Sequence, residues 1–184
     1  MGGSSAVKMY NYIKKIILKY KKLVIISIVL LTFYAFLLPK QLFKQPTSTI
    51  VEDVNGNLLA ASIEKFKQCI IHFEDEYFEY HPGVNPVSVV RALWQNITSG
   101  KVKSGGSTIT MQVIRLARQQ PRTILEKSYE MILATRLEIS KSKKEILALY
   151  TSHAPFGGNV VGLDAAAWRY YGRSPNKLSW GETA

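Results

Sequence analysis

The sequence predicts a mainly α-helical domain that opens with a short β-hairpin and is preceded by a single apolar helix. Three observations carry this expectation. Helix-start signals recur along the chain: Asn85-Pro86, Thr123-x-x-Glu126, Ser142-x-x-Glu145 and Ser179-x-x-Glu182. Each puts a side-chain acceptor where the first free N–H groups of a helix need one. Only residues 49–61 read as a hairpin, with Asn55-Gly56 suited to a type I′ turn. Residues 23–38 are uncharged and rich in branched side chains, with lysines crowding the N-terminal end.

That uncharged stretch is read as a transmembrane helix. Sixteen helical residues rise about 24 Å against a hydrocarbon core of about 30 Å, and flanking residues would extend the span. A buried core helix and a cleaved signal peptide are the alternatives; Leu37-Leu38-Pro39-Lys40 offers no small-x-small cleavage site. Six lysines precede the span and two follow it, which places the N-terminus in the cytoplasm. The expected organisation is a basic tail over 1–22, an inner-membrane anchor over 23–38 and an extracytoplasmic domain over 39–184. The net charge is +11, but the eight basic residues up to Lys44 face no acidic residue, and the remainder carries only +3. A nucleic-acid partner is therefore not expected. Cys69 is the single cysteine, so an internal disulfide is excluded.

Within the domain, residues 65–73 lead into Glu74, Phe78 and His81, which would share one helical face at i, i+4 and i+7 before Pro82-Gly83 ends the helix. A carboxylate beside a ring and an imidazole suits acid–base work; a solvated helix end is the plainer account. A helix from Pro86 carries Val90, Leu93, Trp94 and Ile97 on one face and stops near Gly100. Gly105-Gly106-Ser107-Thr108 then offers close backbone approach and an incipient helix end, either to an anion or simply as a turn with Ser107 or Thr108 as cap. The helix it opens carries Arg115 and Arg118, with Arg122 beyond the break at Pro121. On the next helix Lys127 and Glu130 stand at i, i+3, an exposed pair by the plain account. Glu74 and Glu130 could divide base and acid or metal duties, while the arginines suit phosphate oxygens.

These segments resemble, in order, the motifs of glycosyltransferase family 51, the peptidoglycan glycosyltransferases. Glu74-Asp75-x-x-Phe78-x-x-His81-x-Gly83 is similar to the first, and Gly105-Gly106-Ser107-Thr108-Ile109-Thr110-Met111-Gln112 to the second. Lys127-x-x-Glu130 resembles the third, and Lys143-x-x-Ile146-Leu147-x-x-Tyr150 the fourth. Ala154-Pro155-Phe156-Gly157-Gly158-Asn159 and Tyr170-Tyr171-Gly172-Arg173 resemble the penicillin-binding branch. The resemblance implies a lysozyme-like helical fold that polymerises lipid II, with the growing glycan strand, the membrane and cell-wall synthesis proteins as partners. It implies Glu74 as the base and Glu130 as the group that assists the departing pyrophosphate, directly or through a divalent metal, Mg or Mn. Asp75, His81, Gly106, Ser107, Thr108, Gln112, Arg115, Arg122 and Lys127 would bind substrate.

Departures from the family pattern are Met111 in place of glutamine, Arg115 in place of lysine and Glu126 where an arginine usually stands. The family continues past Ala184, so the resemblance also implies a domain incomplete at its C-terminus. Alternative readings are a catalytically silent relative that binds lipid-linked substrate, and a glycosidase using the two carboxylates.

Overall fold

The computed structural model describes residues 3–43, 60–101 and 105–183. They form α1 (Gly3–Phe36), α2 (Ala60–Glu74), α3 (Pro86–Ser99), α4 (Ile109–Arg118), α5 (Ile124–Ser140), α6 (Lys143–His153), α7 (Leu163–Tyr171), a 3-10 turn (Pro175–Lys177) and α8 (Trp180–Thr183). The chain divides into two compact units, Met1–Pro39 and Lys40–Ala184. Mainly helical architecture is as expected. The hairpin expected over 49–61 lies outside the described residues, except that Ala60 and Ala61 open α2.

The first unit corrects the transmembrane expectation. Helix α1 ends at Phe36, with Leu37 already hydrogen-bonded to Tyr34 O in a tighter turn ahead of Pro39. Its uncharged part is thus 23–36, about 21 Å long at 1.5 Å per residue. An 18-residue helical window ending at Phe36 takes in Lys22, Lys21 and Lys19. No helix among the described residues is long and apolar enough to cross a membrane.

In the second unit α4 is the central element, packed against α5 and α6. Its apolar residues Ile109, Met111, Val113 and Ile114 are fully buried and meet a core that includes Leu133, Ala134 and Leu137 of α5 and Ile146 and Leu147 of α6. Helices α3, α4, α6 and α8 each start at a side-chain cap, whereas α7 starts at Gly162 without one. Asn85 accepts from Ser88 N at 3.1 Å, and Thr108 from Met111 N at 3.2 Å. Ser142 and Glu145 cap each other reciprocally, as Ser179 and Glu182 do. Helix α3 departs from expectation: Val90, Leu93, Trp94 and Ile97 are exposed, and Ala92 is the residue it buries.

The segment 73–83 is not one continuous helix. Glu74 is the last residue of α2, and the chain continues as turns. The cause is Asp75, whose buried carboxylate takes His81 Nε2 on both oxygens at 3.0 Å and Ile109 N at 3.0 Å. An aspartate that collects distant donors competes with the helical backbone. Phe78 is fully buried, and Gly83 adopts φ +88°. A Cβ on Gly83 would lie 2.6 Å from Ala134 O, so only glycine lets this turn rest on α5.

Candidate active site

Helix α4 is amphipathic across the core boundary. While its apolar side packs inward, Gln112 and Arg115 stand three apart and line a groove of about 510 Å³. The end of α2 contributes Glu74, the loop before α4 contributes Gly105, Gly106 and Ser107, and Arg122 and Thr123 come from the α4–α5 connection, with Ile124 at the start of α5. Helix α5 supplies Glu126, Lys127 and Glu130. Of the residues singled out in the sequence, Glu74, Gly106, Ser107, Gln112, Arg115, Arg122, Lys127 and Glu130 therefore share one groove.

Asp75, His81 and Thr108 do not line it. They are buried: Thr108 donates to Gly83 O at 2.6 Å, and Asp75 holds the start of α4 through Ile109 N. Because the Asp75 carboxylate only accepts, His81 carries its proton on Nε2, and its buried Nδ1 has no partner among the described residues. Beside them Lys143 donates to His81 O at 2.6 Å and to Glu138 Oε1 at 2.9 Å, and Thr110 donates to the same oxygen at 2.6 Å. This network fixes the turn after Glu74 against α4 and α5.

The loop 105–107 is tied from above and below. Gly106 adopts φ +49°, and a Cβ there would lie 2.8 Å from Ser88 O of α3. Lys127 Nζ donates to Gly105 O, and Arg115 Nη2 donates to Ser107 Oγ at 3.2 Å. The exposed Lys127–Glu130 pair of the plain account is replaced: Glu130 is buried and takes Arg115 Nε at 2.9 Å and Nη2 at 2.7 Å. That forked geometry explains why arginine rather than lysine suits position 115, since one guanidinium serves both Glu130 and Ser107. Met111 is fully buried, so its departure from the family pattern falls in the core and not in the groove.

Sequence reasoning did not find the role of Arg118. It donates from Nε and Nη2 to Glu126 at 2.5 and 3.1 Å and lies over the Tyr129 ring. Hence the Thr123 cap is one-sided: Glu126 N donates to Thr123, but the Glu126 side chain turns to Arg118. Opposite charges bracketing the break at Pro121 were the available signal. Hydrogen bonding to Arg118 holds the Glu126 carboxyl below its usual value. Burial, then the charge of Arg115 and, after an opposing effect of Glu130, that of Arg122 lower the Lys127 ammonium. A desolvated, crowded cation gains more from an arriving anion than a hydrated one does.

The expected metal role of Glu130 does not fit these side chains. Both its oxygens are engaged by Arg115, and no group of three His, Cys, Asp or Glu that could hold an ion occurs among the described residues.

A carboxylate at one end of a groove with fixed cations beside it is chemically suited to group transfer with an anionic leaving group. Residues 46–184 match the Transglycosylase family model, and the chain belongs to that family. Penicillin-binding protein 1C of Escherichia coli is 51% identical over 134 residues, 73% of this chain and 16% of that protein. Penicillin-binding protein 1A of Aquifex aeolicus is 34% identical over 153 residues, covering 76% and 21%. The biosynthetic peptidoglycan transglycosylase of Alcanivorax borkumensis is 38% identical over 114 residues, covering 61% and 46%. The chain thus spans under half the length of each of these relatives.

Proposed function

We propose that the chain is a peptidoglycan glycosyltransferase that polymerises lipid II into glycan strands and releases undecaprenyl pyrophosphate. The observation that carries this reading is the single groove shared by Glu74, Arg115, Arg122 and Lys127. In it, Glu74 takes the proton from the acceptor sugar's 4-hydroxyl as that oxygen attacks the anomeric carbon of the lipid-linked glycan. The bond from that carbon to the diphosphate breaks, and negative charge gathers on the leaving group. Arg115, Arg122 and Lys127 stabilise that charge. Glu130 acts through Arg115 by holding the guanidinium fork, and Ser107 and Gly106 line the sugar–phosphate side.

Attachment of α1 to a membrane surface belongs to the same reading. It is supported by the lysine-rich N-terminal half of that helix. Cell-wall synthesis proteins are the partners this reading implies. Labelled lipid II should be converted to long glycan by the full chain, and Glu74→Gln should lower kcat by at least about a thousandfold. Equal product from Glu74→Gln removes Glu74 as base. Shorter glycans from a preformed polymer identify a hydrolase, and lipid II binding without turnover identifies a silent binder.

A further inference from the structure

Glu74 is exposed at the end of α2, and Gln112 Nε2 donates to its Oε2 at 2.8 Å. Among the described residues no protein donor meets Oε1. A carboxylate only accepts, so the Gln112 amide must turn its NH2 toward Glu74 and its carbonyl the other way. That carbonyl receives the hydroxyl of Tyr150 across 3.4 Å, a long contact of the kind that tightens when an active site fills. Tyr150 is buried on α6, so a core residue determines which end of a groove-lining amide faces the base. Burial and then the charge of Glu74 push the phenol up to about 12, so its donor range extends further into alkali than a free phenol's. Without that donor the amide is free to present its carbonyl to the carboxylate, and the base loses its anchor.

We propose that Tyr150, acting through Gln112, is a positioning residue that holds Glu74 by Oε2 and leaves Oε1 as the oxygen that takes the acceptor proton. This rests on the catalytic reading of Glu74 given above. No bond to substrate is asked of Tyr150, so its loss should appear in kcat and not in KM.

The test is a double-mutant cycle in lipid II polymerisation by the full chain. Tyr150→Phe and Gln112→Ala should each lower kcat about tenfold, with KM within about twofold for Tyr150→Phe. The double variant should be no worse than Gln112→Ala alone, because both remove the same link. Multiplying losses, or a Tyr150→Phe change confined to KM, overturn the proposal.

A second measurement needs neither turnover nor the Tyr150 variant. In protein labelled at tyrosine Cζ, the Tyr150 resonance should move on Gln112→Ala and, through the amide, on Glu74→Gln. A resonance unmoved by Gln112→Ala overturns the relay. If the wild-type chain does not polymerise lipid II but the resonance responds, the catalytic reading fails while the relay stands.

Discussion

At the scale of the residue, the groove is governed by which charges are buried with a partner and which are not. Glu130 is only 4% exposed, and Arg115 is its partner on both oxygens. Arg115→Met would strand that carboxylate, and the expected cost is about 3 kcal/mol of unfolding free energy. Arg118→Met cuts an ion pair of similar geometry nearer solvent and should cost no more than about 1 kcal/mol. Urea unfolding of the two variants checks the contrast; equal costs would mean that burial does not decide it.

Lys127 gives the groove its pH dependence. Its ammonium is lowered from the ordinary 10.5, so it loses its proton at a lower pH than a free lysine does. Anion affinity from this residue is present below the lowered value and disappears as pH rises through it. Inorganic pyrophosphate binding, followed by calorimetry, should therefore weaken on the alkaline side before 10.5 is reached. Lys127→Arg, which keeps its charge, should remove that limb. A limb that persists in Lys127→Arg belongs to another group.

At the scale of the element, what could be read in advance was what local chemistry decides. The caps at Asn85, Thr108, Ser142 and Ser179 involve residues three apart and form as the spacing requires. Contacts decided by distant partners were not legible in the same way. Glu130 leaves Lys127, three residues away, for Arg115, fifteen away, because a forked guanidinium satisfies both oxygens of a buried carboxylate. Likewise Asp75 reaches 34 residues on to Ile109 N and ends α2 early, so the regular spacing of Glu74, Phe78 and His81 pointed to a continuous helix that does not form, and of the three only Glu74 lines the groove. The outward apolar face of α3 has the same origin: periodicity marks a stripe but not what covers it.

Two helix-scale substitutions separate these cases. Ser142→Ala removes a local cap and should cost about 1 kcal/mol, with the groove intact. Gly83→Ala puts a methyl 2.6 Å from Ala134 O at φ +88°, and should cost at least about 2 kcal/mol while weakening pyrophosphate binding, because the turn carries Glu74's neighbours. Thermal unfolding and calorimetry on both variants check this; a silent Gly83→Ala would show that α5 yields easily.

At the scale of the whole molecule, the response to acid follows from the sign of the carboxylate shifts. Glu126 is lowered by its hydrogen bond to Arg118, and Glu145 and Glu182 by the backbone and hydroxyls of Ser142 and Ser179. A carboxyl lowered on folding stabilises the fold above its ordinary value of 4.5, and that stability is lost as pH falls through the lowered value. Asp164, raised by burial, acts in the opposite sense and favours the fold when protonated. The chain should therefore lose stability below about 4.5, and Glu126→Gln should flatten that loss. Circular dichroism at graded pH measures it, and a variant with an unchanged acid slope would exclude Glu126 as a source.

The division into two units makes the final expectation. Every buried apolar residue of the core, from Phe66 to Leu178, belongs to Lys40–Ala184, as does every residue lining the groove. The exposed apolar side chains of α1 and most of the excess positive charge belong to Met1–Pro39. Stability and anion binding should therefore separate from membrane attachment. A chain beginning at Lys40 should unfold within a few degrees of the full chain and bind pyrophosphate with unchanged affinity. The full chain should float with vesicles containing anionic lipid, and the shortened one should remain behind. Flotation of the shortened chain would move the attachment site to the second unit. Loss of cooperative unfolding would show instead that its core depends on α1.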